Sequence, residues 1–152
     1  MLIYLGADHR GFELKESLRA FLKERGYETV DMGNASYDKS DDYPDFASAV
    51  ARKVAAAPRE SRGVVACGSG AGADIVANKF PSVRSVLALS SDQVYDARHD
   101  DDVNVLSFSA DATDASSAEK ILLTFLETPW SGAEKDRRRL QKIAGIEGEL
   151  YK

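Results

Sequence analysis

Short apolar runs alternate with segments of helical apolar spacing along the whole chain, and this alternation limits the fold more than any other feature. Leu2 to Leu5 reads as a buried strand, and Leu14, Leu18, Phe21 and Leu22 then recur on one helix face that stops at Gly26. Glu28 to Met32 is a second strand. Gly33 to Asp42 is rich in turn residues, and Pro44 stands where a helix carrying Phe46, Ala47, Val50, Ala51 and Val54 begins. Gly63 to Cys67 gives a third strand, which runs into glycines and a helix through Ile75, Val76 and Lys79 that ends by Pro81. Arg84 to Leu89 and Val103 to Phe108 are two further strands, with a short helix around Asp92 to His99 between them. Helices over Ala115 to Leu126 and about 133–150 close the chain. Strands separated by helices predict an α/β protein with a parallel sheet of five strands and helices on both faces, because parallel neighbours need right-handed crossovers. Ligand groups then gather beyond the carboxyl ends of the strands. The Asp8-His9 turn, the loop after Cys67 and the Asp92 to Asp102 segment each follow a strand, so all three are expected on that edge.

The 152 residues fit a single domain, 1–152, with no linker or repeat. The formal charge of -5 argues against general binding to nucleic acid or to an anionic membrane, and no apolar run reaches the length of a signal peptide or membrane span. One cysteine, Cys67, excludes an internal disulfide and a multi-cysteine zinc site, and it suits a reducing compartment. A cytoplasmic protein is expected.

The strongest chemical signal is Cys67-Gly68-Ser69-Gly70-Ala71-Gly72-Ala73 at a strand-to-helix junction. Glycines there let the backbone approach a ligand, and the helix start offers free N–H groups to an anion or a developing oxyanion. The spacing also satisfies a dinucleotide pattern, but it follows the third strand, and nothing else in the chain resembles a hydride-acceptor site. A thiol at this position can act as nucleophile or base, or simply be buried. His9 beside Asp8 is either a histidine whose tautomer the carboxylate fixes or an ordinary turn residue. His99 with Asp100, Asp101 and Asp102 reads as a solvated helix end and not as a metal site, because adjacent side chains cannot all face one ion. Lys135, Arg137, Arg138, Arg139 and Lys142 form a basic helical stretch, with Lys135 and Arg139 on one side. Leu140, Ile143, Ile146 and Leu150, interrupted by Gly145 and Gly148, make a poor independent helix, so this segment is expected to pack on a partner subunit.

Taken in order, Gly6-Ala7-Asp8-His9-Arg10-Gly11-Phe12-Glu13-Leu14-Lys15, Asp42-Tyr43-Pro44, Cys67 to Gly72 and Ala77-Asn78-Lys79-Phe80 resemble the ribose-5-phosphate isomerase B family, which includes the galactose-6-phosphate isomerase subunits. The resemblance runs almost end to end. It implies a Rossmann-like three-layer fold and a homodimer or homotetramer with sites shared between subunits. It also implies interconversion of aldose and ketose phosphates, most simply ribose 5-phosphate and ribulose 5-phosphate, without metal or cofactor. Cys67 would be the base, Ser69 would assist the proton traffic, and the amides around Gly68, Gly70, Ala71, Gly72 and Ala73 would hold the enediolate oxygen. Asp8, His9, Tyr43 and Asn104 would line the substrate, and Lys135 and Arg139 would hold phosphate. Several positions depart from the pattern. The ring-opening histidine falls on Asp100, with His99 one residue early, and the usual glycine and arginine after the fifth strand are Ser109 and Asp111. A histidine of the C-terminal phosphate motif is Asp136. These changes leave open another sugar, such as a six-carbon phosphate or an unphosphorylated one, and a non-catalytic binding role.

Overall fold

A computed structural model describes residues 1–151. In chain order the elements are β1 (Leu2–Ala7), α1 (Phe12–Glu24), β2 (Glu28–Asp31), α2 (Tyr43–Ala56), β3 (Ser61–Cys67), α3 (Ala71–Ala77), β4 (Ser85–Leu87), α4 (Ser91–Asp101), β5 (Val105–Ser109), α5 (Ala115–Glu127) and α6 (Glu134–Leu150). The five strands form one wholly parallel sheet in the order β2-β1-β3-β5-β4, as the alternation predicts.

Side-chain alternation along the strands divides the core in two. Val64 and Ala66 of β3 join Ile3, Leu5, Leu106 and Phe108 on one face, which α1 and α5 cover with Leu14, Leu18, Leu22, Ile121, Leu122 and Phe125. Val65 and Cys67 point the other way, into a smaller cluster with Val50, Val54, Ala73 and Ala77 from α2 and α3. The helix ends follow local chemistry. The Ser90 hydroxyl accepts the Gln93 N–H at 3.1 Å to start α4, and the Asp114 carboxylate accepts the Ser117 N–H at 2.9 Å to start α5. β4 is shorter than the apolar run suggests: the Asn104 amide oxygen takes the Arg84 N–H at 2.8 Å before the strand begins, and beyond Leu87 the Ala88 N–H still donates to the Ser107 carbonyl of β5 at 2.8 Å.

Register brings the turn after β1 against the end of β3, with Ala7 opposite Ala66. Gly11, which starts α1, lies directly on that strand, and a Cβ there would come within 2.5 Å of the Ala66 carbonyl oxygen. Nothing flexible can yield, because the obstacle is backbone. Gly11→Ala is therefore expected to lower stability by about 1–3 kcal/mol, read as a smaller midpoint in urea unfolding.

Candidate active site

β1 and β3 are adjacent, and the chain leaves them toward opposite layers, α1 and α3. Their carboxyl ends thus border one crevice, the place where a doubly wound sheet admits ligands. Cys67 closes β3 and is buried, at 4% exposure. The loop after it is clamped from beneath by β5. The Ser109 hydroxyl donates to the Gly68 carbonyl at 2.9 Å, the Asp111 N–H donates to the same oxygen at 3.0 Å, and the Ser107 hydroxyl donates to the Gly70 carbonyl at 2.6 Å. Gly70 adopts φ +76°, and a side chain there would strike Leu87 and the Phe108–Ser109 backbone. With the carbonyls tied down, the N–H groups from Ala71 to Ala73, in the first turn of α3, are left without intrahelical partners. Ser69 is exposed and its hydroxyl accepts the Ala71 N–H at 3.3 Å. Ser107 escaped the sequence reading, although a hydroxyl residue inside an apolar run is a signal that something there needs a donor.

Tyr43 reaches this loop, and the turn that carries Asp8 and His9 follows β1, whose Ala7 pairs with Ala66 of β3. The Tyr43 ring lies against Gly72 so closely that a Cβ there would fall 2.6 Å from it. The neighbouring carboxylate, however, is not what fixes His9. Asp8 is buried and spends one oxygen on the N–H groups of Arg10 and Gly11, each at 3.0 Å, which shapes the turn. Asp41 holds His9 instead. One oxygen of Asp41 accepts the His9 N–H at 2.7 Å and meets its Nδ1 at 2.8 Å, while the other accepts from the Asn34 amide at 2.9 Å. That hydrogen bond to Asp41 holds His9 above the ordinary imidazole range, against the opposing effect of burial and with help from the charges of Asp8 and Asp41. Burial pushes the Asp41 carboxyl up, but the Asn34 amide and the two His9 contacts outweigh it and leave the group below the usual carboxylate range.

The remaining predicted residues do not share this edge, which corrects the expectation for the Asp92 to Asp102 segment. Only the start of α4 lies at the carboxyl edge; the helix then runs back along the sheet and delivers His99 and Asp100 to the opposite end. There the His99 Nδ1 and Asp100 carboxylate pair at 2.7 Å, each side chain 38% exposed. The His99 hydrogen bond leads in holding Asp100 below the usual carboxylate range, over the opposing effect of burial, and the charges of Lys135, His99 and Arg139 add to it. Lys135 and Arg139 therefore belong to this second group. Asp102 ends α4 with φ +49° and is held by Arg84 and Arg98. Asn104, expected to face substrate, is instead fully buried. Its amide oxygen takes the Arg84 N–H at 2.8 Å and its amide nitrogen donates to Ser82 at 2.9 Å, so it fastens β5 to the start of β4.

The unexpected acids are all partnered. Asp111 pairs with Arg10, whose guanidinium lies over Gly68, so a cation still stands beside the loop. Asp136 is completely buried, accepting the Ser131 hydroxyl at 2.7 Å and the Arg139 guanidinium at 3.2 Å. Neither is an unpaired negative charge. Among the described residues no cluster of His, Cys, Asp and Glu is arranged to hold a metal ion, and no helix is long and apolar enough to cross a membrane.

Comparison with known proteins agrees with this architecture. The model of the ribose/galactose isomerase family matches residues 3–143. Ribose-5-phosphate isomerase B of Mycolicibacterium paratuberculosis is 40% identical over 147 residues, covering 97% of this chain and 92% of that protein. The Escherichia coli protein of the same name is 36% identical, over 95% of each chain. A crystal structure of ribose-5-phosphate isomerase B from Mycoplasma genitalium with bound ribulose 5-phosphate superposes with a TM-score of 0.93 at 36% identity, covering 97% of each chain. Matched along nearly all its length in sequence and in fold, the chain belongs to the ribose/galactose isomerase family.

Proposed function

We propose that this protein interconverts ribose 5-phosphate and ribulose 5-phosphate, with Cys67 as the base and the β3–α3 loop as the anion hole. The observation that carries the reading is the corner itself, a cysteine at the end of β3 followed directly by a glycine loop whose carbonyls are pinned by Ser107 and Ser109. On the open-chain aldose, the Cys67 thiolate takes the proton from C2 and the electron pair moves to O1, giving an enediolate. The amides from Ser69 to Ala73 stabilise that developing charge where it appears. Ser69 moves a proton between O1 and O2, and the thiol returns its proton to C1. Tyr43 and Asp8 border the sugar. The relative from Mycoplasma genitalium, with ribulose 5-phosphate bound, supports this choice of substrate.

The site works between subunits in this reading, in a homodimer or homotetramer of cytoplasmic location. Cys67 and Lys135–Arg139 lie at opposite ends of the sheet in one chain, so a single sugar phosphate reaches both only if a second copy supplies the basic helix. α6 has the surface for such an association. Asp136 is its only buried residue, while Ile143, Ile146 and Leu150 are 40%, 57% and 74% exposed.

Proton NMR in D2O with ribose 5-phosphate should show ribulose 5-phosphate forming and deuterium entering C2 of the recovered aldose, and Cys67→Ala should abolish both while the protein stays folded. No turnover with ribose 5-phosphate, but turnover of a six-carbon aldose phosphate, would assign the same chemistry to another sugar. Sharing of the site is read by mixing. Cys67→Ala and the double variant Lys135→Gln, Arg139→Gln should each be nearly inactive, and equal amounts exchanged into mixed dimers should recover about a quarter of the normal rate. Random pairing makes half the dimers mixed, with one intact site in two. Recovery absent after verified subunit exchange would place both groups in one protomer's site.

A further inference from the structure

Arg10 stands on the loop after Cys67 without a part in the chemistry above. It belongs to the turn that Asp8 shapes, since the Asp8 carboxylate accepts the Arg10 N–H at 3.0 Å. Its guanidinium lies on the bare backbone of Gly68, where a Cβ would fall 2.6 Å from both Nε and Nη1. Gly68 does not have a positive φ, so what this position takes from glycine is the space that the guanidinium fills. One of the three nitrogens has a partner. Nη2 donates to the Asp111 carboxylate, while Nε and Nη1 make no hydrogen bond within the described residues. Asp111 is itself placed by the loop, because its N–H donates to the Gly68 carbonyl at 3.0 Å. Both side chains remain open to solvent, at 55% and 51% exposure.

A guanidinium packed on backbone with donors unspent suits an anion that accepts two hydrogen bonds at once, and a phosphate monoester is such an anion. We propose that Arg10 binds the phosphate of the substrate from within the subunit that holds Cys67, and that Asp111 weakens this binding by occupying the same guanidinium in the empty site. Gly68 adjoins Cys67 in the chain, so a sugar with C2 at the thiol passes beside the guanidinium. The phosphate takes the place of the Asp111 carboxylate on Nη2 and gains a second donor from Nε or Nη1. One ion pair is exchanged for another. The pair given up is exposed on both sides and worth little, which lets a dianion displace it. This assignment rests on the isomerase reading above and adds to it a residue pair that sets KM, alongside whatever cations the partner subunit brings. Its competitor is a purely structural clasp, in which Arg10 and Asp111 only tie the turn after β1 to the segment after β5.

Three variants of the full-length protein separate the two roles. KM and kcat for ribose 5-phosphate, and the competitive inhibition constant of inorganic phosphate, are measured at one ionic strength because exposed charges are screened. Arg10→Gln should raise KM and the inhibition constant together by about tenfold, the size of one hydrogen bond to a charged group, with a much smaller change in kcat. Asp111→Asn should lower both constants by roughly threefold, a gain that loss of a clasp would not produce. The gain should vanish in the double variant, since Asp111 then has no guanidinium to occupy. An unchanged KM in Arg10→Gln, a loss confined to kcat, or no gain in Asp111→Asn overturns the proposal and leaves the isomerase reading intact. A gain that persists undiminished in the double variant also overturns it, because Asp111 then acts as a simple repulsive charge. If the unmodified protein does not turn over ribose 5-phosphate, the isomerase reading fails, and the thermal shift with inorganic phosphate decides the rest. Stabilisation of the unmodified protein that is lost in Arg10→Gln keeps Arg10 as the phosphate site, whereas equal stabilisation of both, or none, overturns that as well.

Discussion

The parallel pairing of β1 with β3 is the constraint on which the rest depends. Their six-residue register, from Leu2 opposite Ser61 to Ala7 opposite Ala66, ends both strands at the same height. The chain must then depart from each by a turn of its own, and it does so into different layers, because β1 leads to α1 and β3 to α3. Two turns that are about 60 residues apart in sequence therefore become walls of one crevice without any loop reaching across. Side-chain parity matters as much. Ala66 faces the α1 layer and Cys67 the α2–α3 layer, so a one-residue slip of β3 would carry the thiol to the wrong side of the sheet. The core contacts of Val64 and Val65 thus hold the chemistry in register.

The polar groups near the crevice show how its shape is kept under strain from its own composition. A loop of glycines has little to pack, and its ordering must come from hydrogen bonds. Here the bonds are made to carbonyls by Ser107 and Ser109, which face the loop from β5. This arrangement uses up the acceptors and leaves donors for a ligand, which suits an anionic intermediate. The acid-for-base changes around the site follow a similar rule. Arg10 and Asp111 face one another across the loop, so the cation near Gly68 comes from the turn after β1 while the segment after β5 brings the acid. The net charge of the pair is zero, and a substrate anion that uses Arg10 must compete with Asp111 in solvent, where the pair itself is worth little.

Most of the architecture was legible in the sequence because periodicity reports burial directly. Leu14, Leu18, Phe21 and Leu22 all face the core, and the runs at Leu2 and Gly63 are the central strands. The Cys67 corner was legible for a different reason, since glycines at a strand end have few other uses. What escaped were contacts between segments with no common period. Asp41 lies 32 residues from His9 in a turn-rich stretch, and no local pattern distinguishes it from Asp38 or Asp42. Proximity in sequence suggested Asp8 as the partner of His9, but Asp8 is closer to the backbone of its own turn than to any use for the imidazole. Asn104 misled in the same way. An amide beside an apolar strand looks like a ligand contact, whereas the edge strand β4 needed its ends tied.

The direction of α4 carries the last consequence. A crossover helix returns the chain to the amino end of the sheet, so residues at its end cannot lie near residues that follow the strand before it. His99, Asp100 and the start of α6 inherit that placement, separated from Cys67 by the length of β3, roughly 20 Å for seven residues. That span exceeds the reach of a pentose phosphate. A fold of this kind offers two ways to bring basic residues to the crevice: a long loop that climbs back over the sheet, or a neighbour turned end for end. The connections on either side of α5 and before β5 are short and α6 stays at the amino end, held there by the Ser82 N–H on Glu147. The second route is the one the topology favours, and in a twofold arrangement it completes two sites for each interface formed.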